Sequence, residues 1–305
     1  MKTGILLLLA CLLVPAAARS ACVVDNKATV PLDVGGGTIT VPVAINGAIA
    51  TMILDTGAQR SILTEAAAHR LNVARDEWVG TTMRGIGGIA SRPNADPRTL
   101  TLGGVPLVRR TLNHDTSLTV GVIPHTRFGN VVIDGALGRD FLALFDLDLD
   151  VPDRRLTLYQ VRGYGGHFLP WQGGYAGVPV SLLDQDAVIV PVTLDGTPLR
   201  ALLDTGSGSS LVAAPGLFRL GLQLDGFAND PAVQVSGAGA HVVTMHRHMF
   251  RSLQVGGQAT GAPVIWVAPG VHLTPIVDML LGADWLAERR VWISYATRQL
   301  FVATP

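Results

Sequence analysis

The chain has 305 residues and is 48% hydrophobic, which is enough for two domains that each bury a core. Its 23 basic and 23 acidic residues give a formal net charge of zero, and without a basic run nothing points to nucleic acid as a partner. Beyond the N-terminus no apolar run reaches the length of a membrane span, so we expect no stable membrane insertion of the mature protein.

The N-terminus has the pattern of a signal peptide. A positive start at Lys2, an apolar run over 4–14 and small residues up to Ala21 assign residues 1–21 to it. We therefore expect an exported protein, periplasmic or extracellular. The mature chain would keep only Cys22 and has no Asn-x-Ser/Thr site, which favours a bacterial origin. Whether Cys22 carries a lipid stays open, because Arg19 stands where a lipoprotein signal has an aliphatic residue.

The rest of the chain repeats itself at a constant offset, without a gap between residues 41 and 71. The matches pair Val41-Pro42-Val43 with Val190-Pro191-Val192, Leu54-Asp55-Thr56-Gly57 with Leu203-Asp204-Thr205-Gly206, Ser61 with Ser210, and Arg70 with Arg219. Such a series indicates an internal duplication. We predict an N-terminal lobe over 26–160, a glycine-rich linker over 161–176 and a C-terminal lobe over 177–305.

Each unit is predicted to be mainly β. Asn46-Gly47 and Asp195-Gly196 are hairpin turns, and the strand after each turn runs into Asp-Thr-Gly. A short helix follows in both units. Thr64 is its N-cap in the first unit, for a helix over Glu65–Leu71, and Pro215 lies in its first turn in the second unit.

A glycine-rich stretch follows each aspartate at a similar distance, at 84–89 and 235–240. Glycine lets a hairpin tip bend and lets a substrate backbone approach, although an ordinary loop is the alternative. The candidate substrate-binding residues are Gly85, Ile86, Gly87, Gly88, Ser236, Gly237, Ala238 and Gly239.

Each unit closes with a buried strand, a glycine and a short helix, at 133–142 and 279–286. Asp140 and Asp284 are interpreted as structural residues at the helix starts. After the first closure, residues 145–150 alternate apolar residues with aspartates, which predicts a strand with leucines inward and aspartates in water.

Other chemistries receive little support. His246 and His248 would share one face of a strand, but no third and fourth metal ligand accompanies them. Val151 stands where a calcium loop needs glycine, and residues 207–210 lack the Gly-x-Ser-x-Gly pattern of a serine hydrolase. We therefore expect no metal and no cofactor.

The two aspartates suggest acid–base hydrolysis. If a pseudo-twofold axis makes Asp55 and Asp204 face each other, they cannot both ionise easily and share a proton. One carboxylate then takes a proton from a water that attacks a carbonyl, and the other donates to the carbonyl oxygen. The residues expected to support the pair are Thr56, Gly57, Ala58, Thr205, Gly206 and Ser207. Because a hydroxyl can stabilise an adjacent carboxylate, Ser207 against Ala58 predicts that Asp204 is the ionised partner.

The double Asp-Thr-Gly, the glycine stretches and the apolar-Gly closures resemble the aspartic protease family, in a retropepsin-like, tandem and exported bacterial form. The resemblance implies an all-β, bilobal fold of two closed β-barrel-like lobes, with Asp55 and Asp204 as the catalytic pair and the glycine stretches as flaps. The chain departs from the family in three ways. Neither flap has a tyrosine, Gln59 and Gly208 stand where an acidic partner of Arg139 is usual, and Ala283 replaces that arginine in the second unit.

The predicted function is that of an aspartic endopeptidase that acts on proteins or peptides. A non-catalytic peptide- or protein-binding module on the same fold is one alternative, and a protease dedicated to one envelope protein is another. Because one chain supplies both aspartates, we expect a monomer.

Overall fold

The structure is a computed structural model of the chain. It describes residues 22–85, 88–108, 117–121, 127–128, 131–165, 168–183, 186–223, 225–236, 242–274 and 276–304, so the predicted signal peptide lies outside it. The described part is mostly β, and none of its helices is long and apolar enough to cross a membrane.

The secondary structure elements of the two halves occur in the same order, apart from two short strands of the first half, Arg127–Phe128 and Val131–Val132, which have no counterpart among the described residues of the second. The first half contains β1 (Val23–Pro31), β2 (Asp33–Gly35), β3 (Thr38–Ile45), β4 (Ala48–Leu54), β5 (Ile62–Leu63), α1 (Glu65–Arg70), β6 (Ala74–Gly85), β7 (Gly88–Asp96), β8 (Leu100–Leu102), β9 (Val105–Pro106), β10 (Leu118–Val120), β11 (Arg127–Phe128), β12 (Val131–Val132), β13 (Gly135–Leu137), α2 (Arg139–Leu142), β14 (Asp146–Asp150) and β15 (Arg155–Arg162). The second half contains β16 (Tyr175–Pro179), β17 (Ser181–Leu183), β18 (Ala187–Leu194), β19 (Thr197–Leu203), β20 (Leu211–Ala213), α3 (Ala214–Arg219), β21 (Ala232–Ser236), β22 (Val242–Met249), β23 (Ser252–Val255), β24 (Gln258–Gly261), β25 (Val264–Ala268), β26 (Met279–Leu281), α4 (Ala283–Leu286), β27 (Arg290–Ser294) and β28 (Gln299–Ala303).

Each half builds a sheet of ten strands with the same order. The order is β6-β7-β10-β5-β13-β4-β3-β8-β9 in the first lobe and β21-β22-β25-β20-β26-β19-β18-β23-β24 in the second, with β2 on β3 and β17 on β18. The matched orders agree with an internal duplication. Both sheets are open, because the hairpins at their two edges do not pair with each other, and the prediction of closed barrels is wrong.

A third sheet joins the lobes. Its six strands are ordered β1-β15-β14-β27-β28-β16, and the antiparallel contact of β14 with β27 crosses from one half to the other. The main apolar core is continuous through both lobes. This shared sheet fixes how the lobes face each other.

The prediction that the aspartates of β14 lie in water is wrong, because all five residues of this strand are buried. Leu147 and Leu149 belong to the main core, as expected. The opposite face of the shared sheet is covered by the linker, whose Phe168 and Trp171 form an aromatic cluster with Trp292. Because the linker covers this outer face, the aspartates of β14 are buried and do not lie in water, contrary to what the alternating pattern predicted.

The buried aspartates of β14 each have polar partners. Asp148 accepts two hydrogen bonds from the Arg290 guanidinium, at 2.9 and 2.7 Å. Asp146 accepts from the indole Nε1 of Trp292 at 3.2 Å and from the hydroxyl of Tyr164 at 3.3 Å. Burial raises the pKa of Asp146 to about 6.

Two local predictions are confirmed. Asn46 and Asp195 have φ values of 51° and 50°, and a glycine with positive φ follows each, as in a type I′ hairpin turn. The hydroxyl of Thr64 accepts from the N–H of Ala67 at 3.1 Å and so caps α1, which ends one residue earlier than predicted.

Candidate active site

The two aspartates lie at the ends of corresponding strands in the centre of each sheet. Leu54 ends β4 and Leu203 ends β19, and each strand has a parallel neighbour, β13 or β26. The N–H of Asp55 donates to the carbonyl of Leu137 at 2.9 Å, and the N–H of Asp204 to the carbonyl of Leu281 at 3.0 Å. The apolar closures recognised in the sequence therefore hold the backbones of the aspartates.

The threonines tie the two aspartate turns together across the lobe interface. The hydroxyl of Thr56 donates to the carbonyl of Leu203 at 2.7 Å and accepts from the N–H of Thr205 at 3.1 Å. Thr205 does the same in return, donating to the carbonyl of Leu54 at 2.6 Å and accepting from Thr56 at 3.0 Å. Both threonines are buried, so these bonds are shielded from water.

The glycines after the threonines are needed for the opposite carboxylate. A Cβ on Gly57 would collide with the carboxylate of Asp204, and a Cβ on Gly206 would collide with that of Asp55. The sequence predicted only that these glycines support the catalytic pair. The structure adds a stronger requirement, because any side chain there would force the two aspartates apart.

The carboxylates of Asp55 and Asp204 are within hydrogen-bonding reach of each other and form a coupled pair. Burial raises the pKa of Asp55, although hydrogen bonding and the nearby Arg139 guanidinium oppose the rise. Burial and the charge of Asp55 raise the pKa of Asp204 to about 8. The pair therefore keeps one proton at neutral pH.

Backbone N–H groups bond one oxygen of each aspartate. The N–H of Ala58 donates to Oδ1 of Asp55 at 2.8 Å. The N–H groups of Gly206 and Ser207 donate to Oδ1 of Asp204, at 3.0 and 3.1 Å.

The predicted role of the Ser207 hydroxyl is wrong. Its oxygen donates to the carbonyl of Ser209 at 2.8 Å, so its single proton is not available to the carboxylate of Asp204. Burial raises the pKa of both aspartates, and the charge of Asp55 adds to the rise at Asp204, so which partner is ionised stays a prediction. The sequence showed that a hydroxyl was present but not which acceptor its side chain would reach.

Sequence reasoning did not anticipate where the side chain of Arg139 goes. This guanidinium is buried, and its Nη1 donates to the carbonyl of Gly57 at 2.6 Å, directly behind the Asp55 turn. Its backbone N–H donates to the carbonyl of Ala58 at 3.0 Å. In the second lobe Ala283 makes only the matching backbone bond, to the carbonyl of Ser207 at 2.8 Å.

The other repeated residues have structural roles. The hydroxyl of Ser61 donates to Asp140 at 2.7 Å and accepts from the N–H of Gly138 at 2.8 Å. Ser210 donates to Asp284 at 2.7 Å in the same way. These hydrogen bonds attach the loop that follows each Asp-Thr-Gly to the short helix of the closure.

A second repeated interaction, an ion pair between an arginine and an aspartate, supports the outer end of the strand that leads to each Asp-Thr-Gly. Arg70 pairs with Asp134 at 2.7 Å in the first lobe, and Arg219 pairs with Asp278 at 2.9 Å in the second. Both aspartates are buried, which explains why the matching arginines occur in both units.

The strands that flank the glycine-rich stretches pair with each other in both lobes. In β6–β7 the pairing continues to Gly85 opposite Gly88, and in β21–β22 it continues to Ser236 opposite Val242. The predicted flap residues Ile86, Gly87, Gly237, Ala238 and Gly239 lie outside the described residues. That the hairpins cover a substrate stays a prediction.

The two histidines on β22 contact aromatic rings. His248 is 2.7 Å from a carboxylate oxygen of Asp230, and its ring packs edge-on against Phe227 and Phe250. Among the described residues, no group of three or more His, Cys, Asp or Glu side chains could hold a metal ion.

Comparison with known proteins agrees with this geometry. The sequence profile of the aspartyl protease family matches residues 41–141 and 190–285, more than half of the chain, and the protein therefore belongs to that family. No curated protein matches the sequence. Among solved structures, the crystal structure of the aspartic proteinase from Irpex lacteus is similar, with a TM-score of 0.55. The match covers 93% of this chain and 97% of that chain at 13% sequence identity, and it is a likeness of fold.

Proposed function

We propose that the protein is an aspartic endopeptidase that hydrolyses peptide bonds in proteins or peptides through Asp55 and Asp204. The observation that carries the proposal is the position of the two carboxylates, which lie within hydrogen-bonding reach of each other across the threonine-bridged interface. A module that only bound peptides would not need two coupled carboxylates with raised pKa values.

Hydrolysis would follow from the shared proton. A water between the carboxylates loses a proton to the ionised partner as its oxygen attacks the peptide carbonyl. The protonated partner donates to the carbonyl oxygen as negative charge develops there. The carboxyl that took the water proton then passes it to the leaving nitrogen and the C–N bond breaks, while a hydroxyl of the tetrahedral intermediate returns its proton to the other carboxylate. The amine and the acid are released, and the pair again holds one proton. No covalent bond to the protein forms.

The experiment compares cleavage by the protein with cleavage by its Asp204→Asn and Asp55→Asn variants. Each is incubated with an unfolded protein and with a peptide library, and the cuts are mapped by mass spectrometry. Asp153→Asn is the control, because its carboxylate is exposed in a turn. We expect cleavage by the parent and the control and a loss of several orders of magnitude in both active-site variants.

The other outcomes separate the rivals. Equal cleavage by the parent and the active-site variants would contradict a two-aspartate mechanism. Cleavage by none of them, with retained binding to some peptides, would favour the binding module. Cleavage of one protein from an envelope extract, but of no general substrate, would indicate a dedicated processing protease.

We also propose that the enzyme is exported and acts as a monomer in the periplasm or outside the cell. The N-terminal signal pattern supports export, and the supply of both aspartates by one chain supports a monomer. Fractionation of expressing cells, sequencing of the mature N-terminus and sedimentation of the purified protein test these points. A protein that keeps Met1 and stays in the cytoplasm would contradict export.

A further inference from the structure

The two halves of the active site differ most at one pair of equivalent positions, Arg139 and Ala283. Both residues begin the short helix of their closure, and both donate a backbone N–H to the turn after Asp-Thr-Gly. Only Arg139 also donates to this turn from its side chain, and that side chain carries a charge. Besides the unequal backbone bonds to the carboxylates, one N–H to Asp55 and two to Asp204, the two halves therefore differ by one cation.

The Arg139 side chain is enclosed between the lobes, with 6% of the residue exposed. The ionisable groups that face it come from three places. They are Asp55 at the end of β4, Asp140 next to it on α2, and Tyr295 and Asp186 from the second lobe. The group that acts most strongly on Asp204 by its charge is Asp55.

We propose that Arg139 is a positioning residue that makes Asp55 the ionised general base and leaves the shared proton on Asp204, the general acid. The inference rests on the proposed function, and it assigns the two roles that a symmetric site would leave interchangeable. Arg139 acts through Asp55, because its guanidinium is buried and donates to the carbonyl of Gly57 in the Asp55 turn.

The physical reason is the sign and the placement of the charge. An arginine stays protonated over the whole working range of pH, and in a site shielded from water its field is weakly screened. It stabilises a nearby carboxylate in the charged form. The bond from Nη1 to Gly57 also fixes the turn whose next N–H, that of Ala58, donates to Asp55. Both effects act on the Asp55 side.

The test measures the ionisation of each carboxylate separately. Asp204→Asn leaves Asp55 alone, Asp55→Asn leaves Asp204 alone, and the ¹³Cγ shift of the remaining aspartate is followed against pH by NMR. We expect a lower pKa for Asp55 than for Asp204. Adding Arg139→Gln should raise the pKa of Asp55 by about one unit or more and change that of Asp204 less. Arg139→Lys should restore most of the difference.

Arg70→Gln is the matched control, because it removes a guanidinium of the same lobe that pairs with Asp134. It should leave the pKa of Asp55 unchanged. Equal pKa values for Asp55 and Asp204 in the presence of Arg139 would overturn the proposal, and this comparison does not depend on the folding of an Arg139 variant. The titration needs no peptidase activity, so an inactive protein with unequal aspartates would refute the proposed function and leave this inference standing.

Discussion

The N–H of Thr56 donates to the hydroxyl of Thr205 at 3.0 Å, and the N–H of Thr205 donates to the hydroxyl of Thr56 at 3.1 Å. Each threonine thereby satisfies a buried backbone group of the opposite lobe, and each then donates its own proton to a carbonyl there. The exchange links residues that are 149 positions apart in the chain. It holds the aspartates that precede the two threonines at a fixed separation.

The first prediction concerns this bridge. Thr205→Val keeps the shape but leaves the N–H of Thr56 and the carbonyl of Leu54 without partners. Each buried unsatisfied group costs about 1–3 kcal/mol, so we expect the free energy of unfolding to fall by about 2–6 kcal/mol. Activity should fall with it, because the aspartates would no longer be held in place. Urea denaturation and peptidase assays measure the two effects.

Thr205→Ser is the control for the bridge, because it keeps the hydroxyl and removes one methyl group. It should cost only about 1 kcal/mol and keep most of the activity. If Thr205→Val leaves the stability unchanged and Thr205→Ser lowers it, packing of the methyl group and not the hydrogen bonds holds the interface.

The second prediction concerns the pH dependence of peptide cleavage. The pair works with one proton, and the raised pKa of Asp204, about 8, means that this proton is kept through the neutral range. We expect kcat/KM to hold up to about pH 7 and to fall as pH rises past about 8, measured with a fluorogenic peptide. A profile that has already collapsed by pH 6 would contradict the coupling of Asp204 to a charged Asp55.

Much of the fold could be predicted from the sequence because the repeated residues have strong preferences for particular local structures, such as hairpin turns and helix caps. Asn46-Gly47 and Asp195-Gly196 favour positive φ, Thr64 is a good helix cap, and the apolar run before Asp-Thr-Gly is typical of a buried strand. Such signals depend on neighbours in the chain, so a single sequence reveals them.

The errors came from contacts between distant segments. The aspartates of β14 are buried because a linker that comes later in the chain folds over them. The side chain of Arg139 reaches the carbonyl of Gly57, which is 82 residues away in the chain. Ser207 is an exception, because its hydroxyl donates to the nearby carbonyl of Ser209, and residue type alone does not decide between that acceptor and the carboxylate. Residue types predicted the available charges and donors, but only the packing of the lobes decides which partners they meet.

The third prediction tests the corrected role of Ser207. Because its hydroxyl donates to Ser209, Ser207→Ala should leave both limbs of the pH–rate profile in place and cost about 1 kcal/mol of stability. The reciprocal change Ala58→Ser should likewise leave the acidic limb unmoved, since the hydroxyl at the equivalent position, that of Ser207, donates to the carbonyl two residues further along the chain. A clear shift of the acidic limb in either variant would restore a direct hydroxyl–carboxylate bond.

The fourth prediction concerns the stability of the shared sheet. The folded pKa of Asp146, about 6, lies above its ordinary value of 3.8, so folding binds this proton and stability falls as pH rises from about 4 to about 6. The loss amounts to about 3 kcal/mol. Asp146→Asn cannot lose a proton, and its stability relative to the parent should therefore rise by about that amount between pH 4 and pH 7 in urea denaturation. Asp148→Asn is the control, because it strips Arg290 of its main acceptor and should destabilise the protein at pH 7. If the effect of Asp146→Asn is the same at both pH values, the buried carboxyl is not the source of the pH dependence.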